Sequence, residues 1–189
     1  MSFVISVGAG MEQMDSMRAA LEMGLNIVAI DKNPQAPGFT LAAHAFPIDI
    51  ADESEAVQIA KRFNAKAVLP APIGRFLTTV GAVNDALQLR GISKEAALRC
   101  TDKNRFHKIS SKQGLNRPRQ QTVYSGEDLH QAIRAFGLPC ILKPRRGSGS
   151  KGVVVIHDYL QVEQAVQEHL NHVHGDDTLI EEFLIGREF

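Results

Sequence analysis

Two α/β units in tandem are what the sequence predicts: a doubly wound parallel sheet over 1–100, a linking helix over 101–120, and a small α+β layer over 121–189. Three observations carry this. Apolar runs alternate with helix-compatible stretches through the first hundred residues, the rhythm of a parallel sheet with right-handed crossovers. Arg117-Pro118 makes a helix past that point unfavourable and puts a boundary near residue 120. After the boundary, four strand-like segments enclose two helical ones, which suits two helices on one face of a mainly antiparallel sheet.

Taken in order, FVISVGAG is a buried strand ending in a glycine turn, and MEQMDSMRAALEMG is a helix with Met14, Met17 and Leu21 on one face. That spacing assigns the methionines to core packing. NIVAID, AAHAFPID and KAVLPAP are the next three strands, and ESEAVQIAKRFN is a helix opened by the Ser54 region. TDKNRFHKISSKQG opens at Thr101 or Asp102 and stops at Gly114. Then come strand QTVYS, helix GEDLHQAIRAFG, strands PCILKP and GVVVIHD, helix YLQVEQAVQEHL and strand TLIEEFL.

Composition narrows the function. The 21 basic and 21 acidic side chains balance, which argues against a nucleic-acid partner. No apolar run approaches the roughly 18 residues of a membrane span, and MSFVISVGAG lacks the basic start of a signal peptide. Cys100 and Cys140 stand in no C-x-x-C arrangement, so a cytoplasmic chain with two free thiols is expected. His169, His172 and His174 could suggest a metal, but without a further ligand at metal spacing they are assigned to a solvated helix end.

Two features of the first unit are open to more than one reading. Gly8 and Gly10 follow the first strand, and Asp31 ends the second about 20 residues on, where a dinucleotide-binding domain keeps its ribose acid. The third glycine position is Gln13, however, so the alternative is a tight turn with Asp31 capping DKNPQAPG. Arg75, in the loop LPAPIGR at the carboxyl edge of the sheet, lies near a helix start, where an anionic substrate or solvent would account for it. Gly8, Gly10 and Arg75 are therefore candidate substrate residues.

The loop RRGSGSKG offers sharper chemistry. Gly147, Gly149 and Gly152 lie between two strand-like runs, so neither a Rossmann fingerprint nor a Walker A loop fits, since both lead into a helix. A kinase loop does sit in a hairpin, but the strand lysine here, Lys143, precedes the glycines, and H-R-D and D-F-G segments are absent. A hairpin lid over polyphosphate remains, with Lys143, Arg145, Arg146 and Lys151 around it and no acid between them. Glycines let backbone N–H groups approach phosphate oxygens.

Asp102-Lys103, ILKP at 141–144, RRGSGSKGV and the closing LIEEFLIGREF together resemble the ATP-grasp superfamily. The first unit resembles its pre-ATP-grasp domain, and residues 121–189 its lid subdomain. VGAG, IDKNPQAPG and PIDI resemble the branch near carbamoyl-phosphate synthase large subunits and biotin carboxylase. The resemblance implies ATP binding by Lys103, Lys143 and Arg146, with Ser148, Gly149, Ser150 and Gly152 covering the phosphates. It implies an adenine hinge at Glu181 or Glu182, Phe183 against the base, the Leu184 N–H on a ring nitrogen, and Glu188 on the ribose. Without it, Glu181 and Glu182 would be edge-strand charges that deter aggregation. The implied reaction activates a small-molecule carboxylate as an acyl phosphate for attack by an amine. It uses ATP and Mg2+, whose protein ligands the family places in a further subdomain beyond residue 189. The chain is accordingly expected to be one part of such a ligase, with a complementary C-terminal half or a homo-oligomer as partner. The alternatives are an NAD-binding module and a non-catalytic nucleotide-binding or assembly domain.

Overall fold

A computed structural model describes residues 2–69, 74–124, 129–147, 149–173 and 177–187. The chain forms two compact units, Met1–Leu98 and Arg99–Phe189. The segment 101–120 groups with the second.

In the first unit, β1 (Phe3–Val7), β2 (Asn26–Ile30) and β3 (His44–Phe46) form a parallel sheet in that order. Between them, α1 (Met14–Glu22) follows the glycine turn. α2 (Glu53–Arg62) and α3 (Leu77–Leu87) follow β3. Both faces of β1 and β2 are covered, so their residues are apolar almost without interruption. Ile5, Val7, Val28 and Ile30 share a core with Ala56, Ile59 and Val83, whereas Val4, Ile27 and Ala29 share one with Met17 and Ala20. Each large side chain so buried contributes about 1.5–3 kcal/mol.

Three expectations need correction. Among the described residues the fourth strand is a single parallel bridge from Ile5 to Val68, although Leu69 N still donates to Ile5 O at 2.8 Å. On α1, Met17 is fully buried, but Leu21 is 40% exposed, because the buried face runs through Gln13, Met17 and Ala20 and leaves Leu21 at its edge. The N-cap of α2 is Asp52, not Ser54: its carboxylate accepts from Glu55 N at 3.0 Å. Helix α4 (Lys94–Thr101) then carries the chain across the boundary between the units.

The second unit begins with α5 (Lys103–Lys112), capped by Asp102 and followed by Gly114 in the left-handed conformation. Next come β4 (Gln120–Val123), α6 (Leu129–Phe136), β5 (Cys140–Pro144), β6 (Val154–Ile156), α7 (Val162–Leu170) and β7 (Thr178–Glu182). The antiparallel sheet has the order β4-β7-β5-β6. Alternation divides its residues: Cys140, Leu142, Ile156 and Ile180 enter one core with Ile133 and Phe136 of α6 and Val162 and Val166 of α7. Lys143 and Glu181 therefore point to the opposite face. The last strand in sequence is inserted beside β5 in the middle of the sheet, and this decides the chemistry of that face.

Candidate functional site

The site starts at the N-terminus of α5. Asp102 is 1% exposed and accepts from Asn104 N and Arg105 N at 3.0 and 3.2 Å. The Arg145 guanidinium grips the same carboxylate from Nε and Nη2, the latter at 2.7 Å from Oδ2. Its Nη1 donates to Asp177 Oδ2 at 2.7 Å. Burial alone would raise the Asp102 carboxyl, but bonds from Arg145 and Arg105 N, with the charges of Arg145 and Arg146, hold it below the ordinary carboxylate range. The two carboxylates push Arg145 further up, so this guanidinium is a permanent cation. Two acids from elsewhere in the sequence thus stand within the basic cluster. They lie 43 and 32 residues from Arg145 in sequence, beyond the reach of local pattern. Arg145 is a brace, whereas Arg146, 3.7 Å from Asp102, keeps a largely exposed side chain.

Two lysines of the predicted set meet the same end of the sheet. Lys103 Nζ donates to the carbonyls of Pro144 and Gly147 at 3.0 and 3.3 Å, and Lys103 N donates to Arg145 O. Lys143 Nζ is bonded to Glu181 Oε2. Glu181 is 3% exposed, with Gln120 and Ile141 as register partners on the flanking strands. Far from guarding an edge, it is a buried carboxylate on an interior strand. Its Oε1 accepts from His107 Nε2 at 3.0 Å. Sequence reasoning did not single out His107. The available signal was its position four residues after Lys103, one helical turn along the same face.

The glycine loop leaves β5 with Gly147 at φ +144°, Gly149 at +68°, Ser150 at +55° and Gly152 at +69°. Positive φ at four described positions keeps backbone close to the surface without side-chain bulk. Ser150 and Lys151 are exposed, and Ser148 lies outside the described residues. The far foot of the loop is pinned by His169, which is fully buried rather than solvated. The Gly152 carbonyl can only accept, so His169 Nδ1–H donates to it at 2.6 Å; Nε2 then accepts from the Thr178 hydroxyl at 2.9 Å. Burial pushes this imidazole down, the bond to Gly152 opposes that, and His172 lowers it further, so it is held neutral. Both feet of the loop thus rest on adjacent residues at the start of β7, Asp177 under Arg145 and Thr178 under His169.

Along the hinge, Glu182 is exposed, and its carboxylate accepts from Arg119 N at 3.1 Å. The Phe183 ring stands edge-on to His157 at 5.2 Å, and Leu184 is exposed. Glu188 lies outside the described residues, as do His174 and the loop 70–73.

The glycine turn of the first unit is closed from within. Gln13 Oε1 accepts from Gly10 N at 2.9 Å, and a Cβ on Gly8 would meet the Gln13 side chain at 3.3 Å. Asp31 spends one oxygen on Ala9 N and the other on Asn33 N, both at 2.9 Å. The turn-capping reading of Asp31 therefore holds, and this geometry does not favour NAD. Arg75 is exposed and stands over the Phe76 ring, 5.1 Å from its centroid.

The ATP-grasp domain family matches residues 108–185. That segment is similar to an ATP-grasp domain. It holds Lys143, the glycine loop and Glu181, while Asp102, Lys103 and His107 lie just before it. A formate-dependent phosphoribosylglycinamide formyltransferase of a Nitratiruptor species is 26% identical over 176 residues, 87% of this chain and 43% of that protein. An ADP complex of N5-carboxyaminoimidazole ribonucleotide synthetase shares the fold at TM-score 0.73 and 18% identity, over 97% of this chain and 47% of that one. The biotin carboxylase domain of the Hydrogenobacter thermophilus 2-oxoglutarate carboxylase, in complex with MgADP and bicarbonate, does so at TM-score 0.65 and 20% identity, over 97% and 44%. The chain spans less than half the length of these relatives. Among the described residues of the ATP-grasp segment and the rest of the chain, no cluster of three His, Cys, Asp or Glu side chains could hold a metal. No helix among the described residues is long and apolar enough to cross a membrane.

Proposed function

We propose that this chain is the nucleotide-binding part of an ATP-dependent ligase that joins a small carboxylate to an amine. The observation that carries the reading is that Lys103 meets the start of the glycine loop at Pro144 and Gly147 while Lys143 and Glu181 pair on one face of the same sheet. In this reading Lys103 and Lys143 turn N–H donors toward phosphate oxygens, and Lys143, with three donors, keeps its bond to Glu181. Gly149, Ser150 and Gly152, with Ser148, cover the phosphates; Arg146 adds charge at the rim. The backbone at Glu181, Glu182 and Leu184 recognises the base edge, Phe183 packs on it, and Glu188 takes the ribose.

A carboxylate oxygen attacks the γ-phosphorus, the bond to the β-phosphate oxygen breaks, and ADP leaves. The amine then attacks the acyl carbon, and inorganic phosphate departs as the C–N bond forms and the amine loses a proton. Fixed cations around the transferring group stabilise the charge that develops on it. The motifs VGAG, IDKNPQAPG and PIDI favour the carbamoyl-phosphate synthase and biotin carboxylase side of the family. The formyltransferase relative is named for formate, and the biotin carboxylase neighbour holds bicarbonate. A one-carbon acid is the substrate class these have in common, with Gly8, Gly10 and Arg75 of the first unit as candidate contacts.

Binding of a fluorescent ADP analogue tests the reading. ATP should displace it and NADH should not. Lys143→Ala should weaken binding by about one to two decades, the worth of a hydrogen bond to a charged group. Displacement by NADH but not by ATP, or full affinity in Lys143→Ala, would overturn it.

A further inference from the structure

We infer that His107 is a positioning residue, which holds the Glu181 carboxylate so that its other oxygen aligns the Lys143 ammonium. The inference rests on the reading of Lys143 as a phosphate-binding lysine and adds to it a residue from outside the glycine loop and hinge. Glu181 is 3% exposed, and its oxygens are divided: His107 Nε2 on Oε1, Lys143 Nζ on Oε2. A carboxylate only accepts, so Nε2 carries the proton. The other ring nitrogen, Nδ1, is buried without a hydrogen-bond partner. Gln120, the register partner of Glu181 on β4, likewise has a buried, unpartnered Oε1.

An unpaired buried polar atom opposes folding. For packing alone, an apolar side chain would therefore serve better at 107 than a histidine. What the imidazole supplies is a single donor to Glu181. Without that donor, Oε1 would be buried and unpaired, and the ionised carboxylate would be unfavourable in place. Glu181 would then rotate toward water and release Lys143. Lys143 is only about a quarter exposed, so its aim depends on this partner.

Two measurements on the 189-residue chain test the inference, each with His107→Leu and His107→Gln. Glutamine retains an N–H donor at a reach similar to Nε2; leucine does not. In the first, affinity for ADP should fall roughly tenfold or more in His107→Leu and return toward wild type in His107→Gln. The urea midpoints of both variants are measured alongside, so that loss of affinity is read against loss of stability. In the second, without nucleotide, Lys143 is acylated with limiting acetic anhydride and its peptide quantified by mass spectrometry. His107→Leu should speed labelling several-fold, and His107→Gln should match wild type. Unchanged labelling in His107→Leu, or a loss of affinity no greater than the loss of stability, would overturn the inference. If the wild-type chain bound no ADP, the ligase reading would fail, and labelling would still decide the role of His107.

Discussion

Replacing Arg145 by Ala should destabilise the second unit far more than replacing its neighbour Arg146. Arg145 donates to both oxygens of Asp102 and to Asp177, so its loss leaves a carboxylate 1% exposed with two backbone donors and the more distant Arg105 and Arg146. Removing one partner of a buried ion pair costs about 3–5 kcal/mol. The arginine side chain is 21% exposed and Asp102 keeps two N–H bonds, which places the cost at the lower end, about 3 kcal/mol. For a unit of this size that corresponds to a fall in Tm on the order of 15 °C. Arg146→Ala should cost less, because its guanidinium is 46% exposed and stands 3.7 Å from Asp102, beyond hydrogen-bond distance. Arg145→Lys should rescue little, because an ammonium cannot span Asp102 and Asp177 as a planar guanidinium does. The chain has no tryptophan, and its two tyrosines, Tyr124 and Tyr159, both lie in the second unit, so tyrosine emission during thermal or urea unfolding reports on that unit selectively. Equal small losses for Arg145→Ala and Arg146→Ala would refute the brace. So would a stable Arg145→Ala that had lost nucleotide affinity, since the arginine would then serve phosphate rather than the fold.

Acid sensitivity should trace in part to His169. Its folded-state value lies below the ordinary 6.5, so the unfolded chain binds the proton more readily; stability is full above about pH 6.5 and declines as pH falls toward the folded value. Urea midpoints at pH 8.0 and 5.5 should therefore differ more for wild type than for His169→Gln, and equal slopes would exclude this histidine. The two thiols should separate cleanly: Cys100 is exposed, whereas burial pushes Cys140 up to about 11. A chromogenic disulfide reagent at pH 8 should titrate one thiol in the native chain and two in urea, and rapid native reaction of both would contradict the placement of β5 in the core.

How much was legible beforehand follows from the range over which each signal acts. FVISV and NIVAI announce strands buried on both faces because they are apolar almost throughout, and CILKP a strand buried on one face because its burial alternates, both signals contained in the segment itself. Gly147, Gly149 and Gly152 announce a loop because positive φ is a property of single residues. By itself the sequence therefore determined the two-unit α/β organisation, nearly all the elements, and Lys103, Lys143 and the glycine loop as candidates. It could not tell Arg145 from Arg146, since the two differ only in which meets Asp102 and Asp177 across 43 and 32 residues. Nor could it tell a surface glutamate from a buried one. Glu181 is buried because β7, the last strand in sequence, inserts between β4 and β5, and α5 lays His107 against it. Strand order is chosen by the packing of the whole unit, and no residue pattern within TLIEE encodes it. The tertiary structure alone thus decided which charges became a brace, which carboxylate became buried, and which histidine came to hold it.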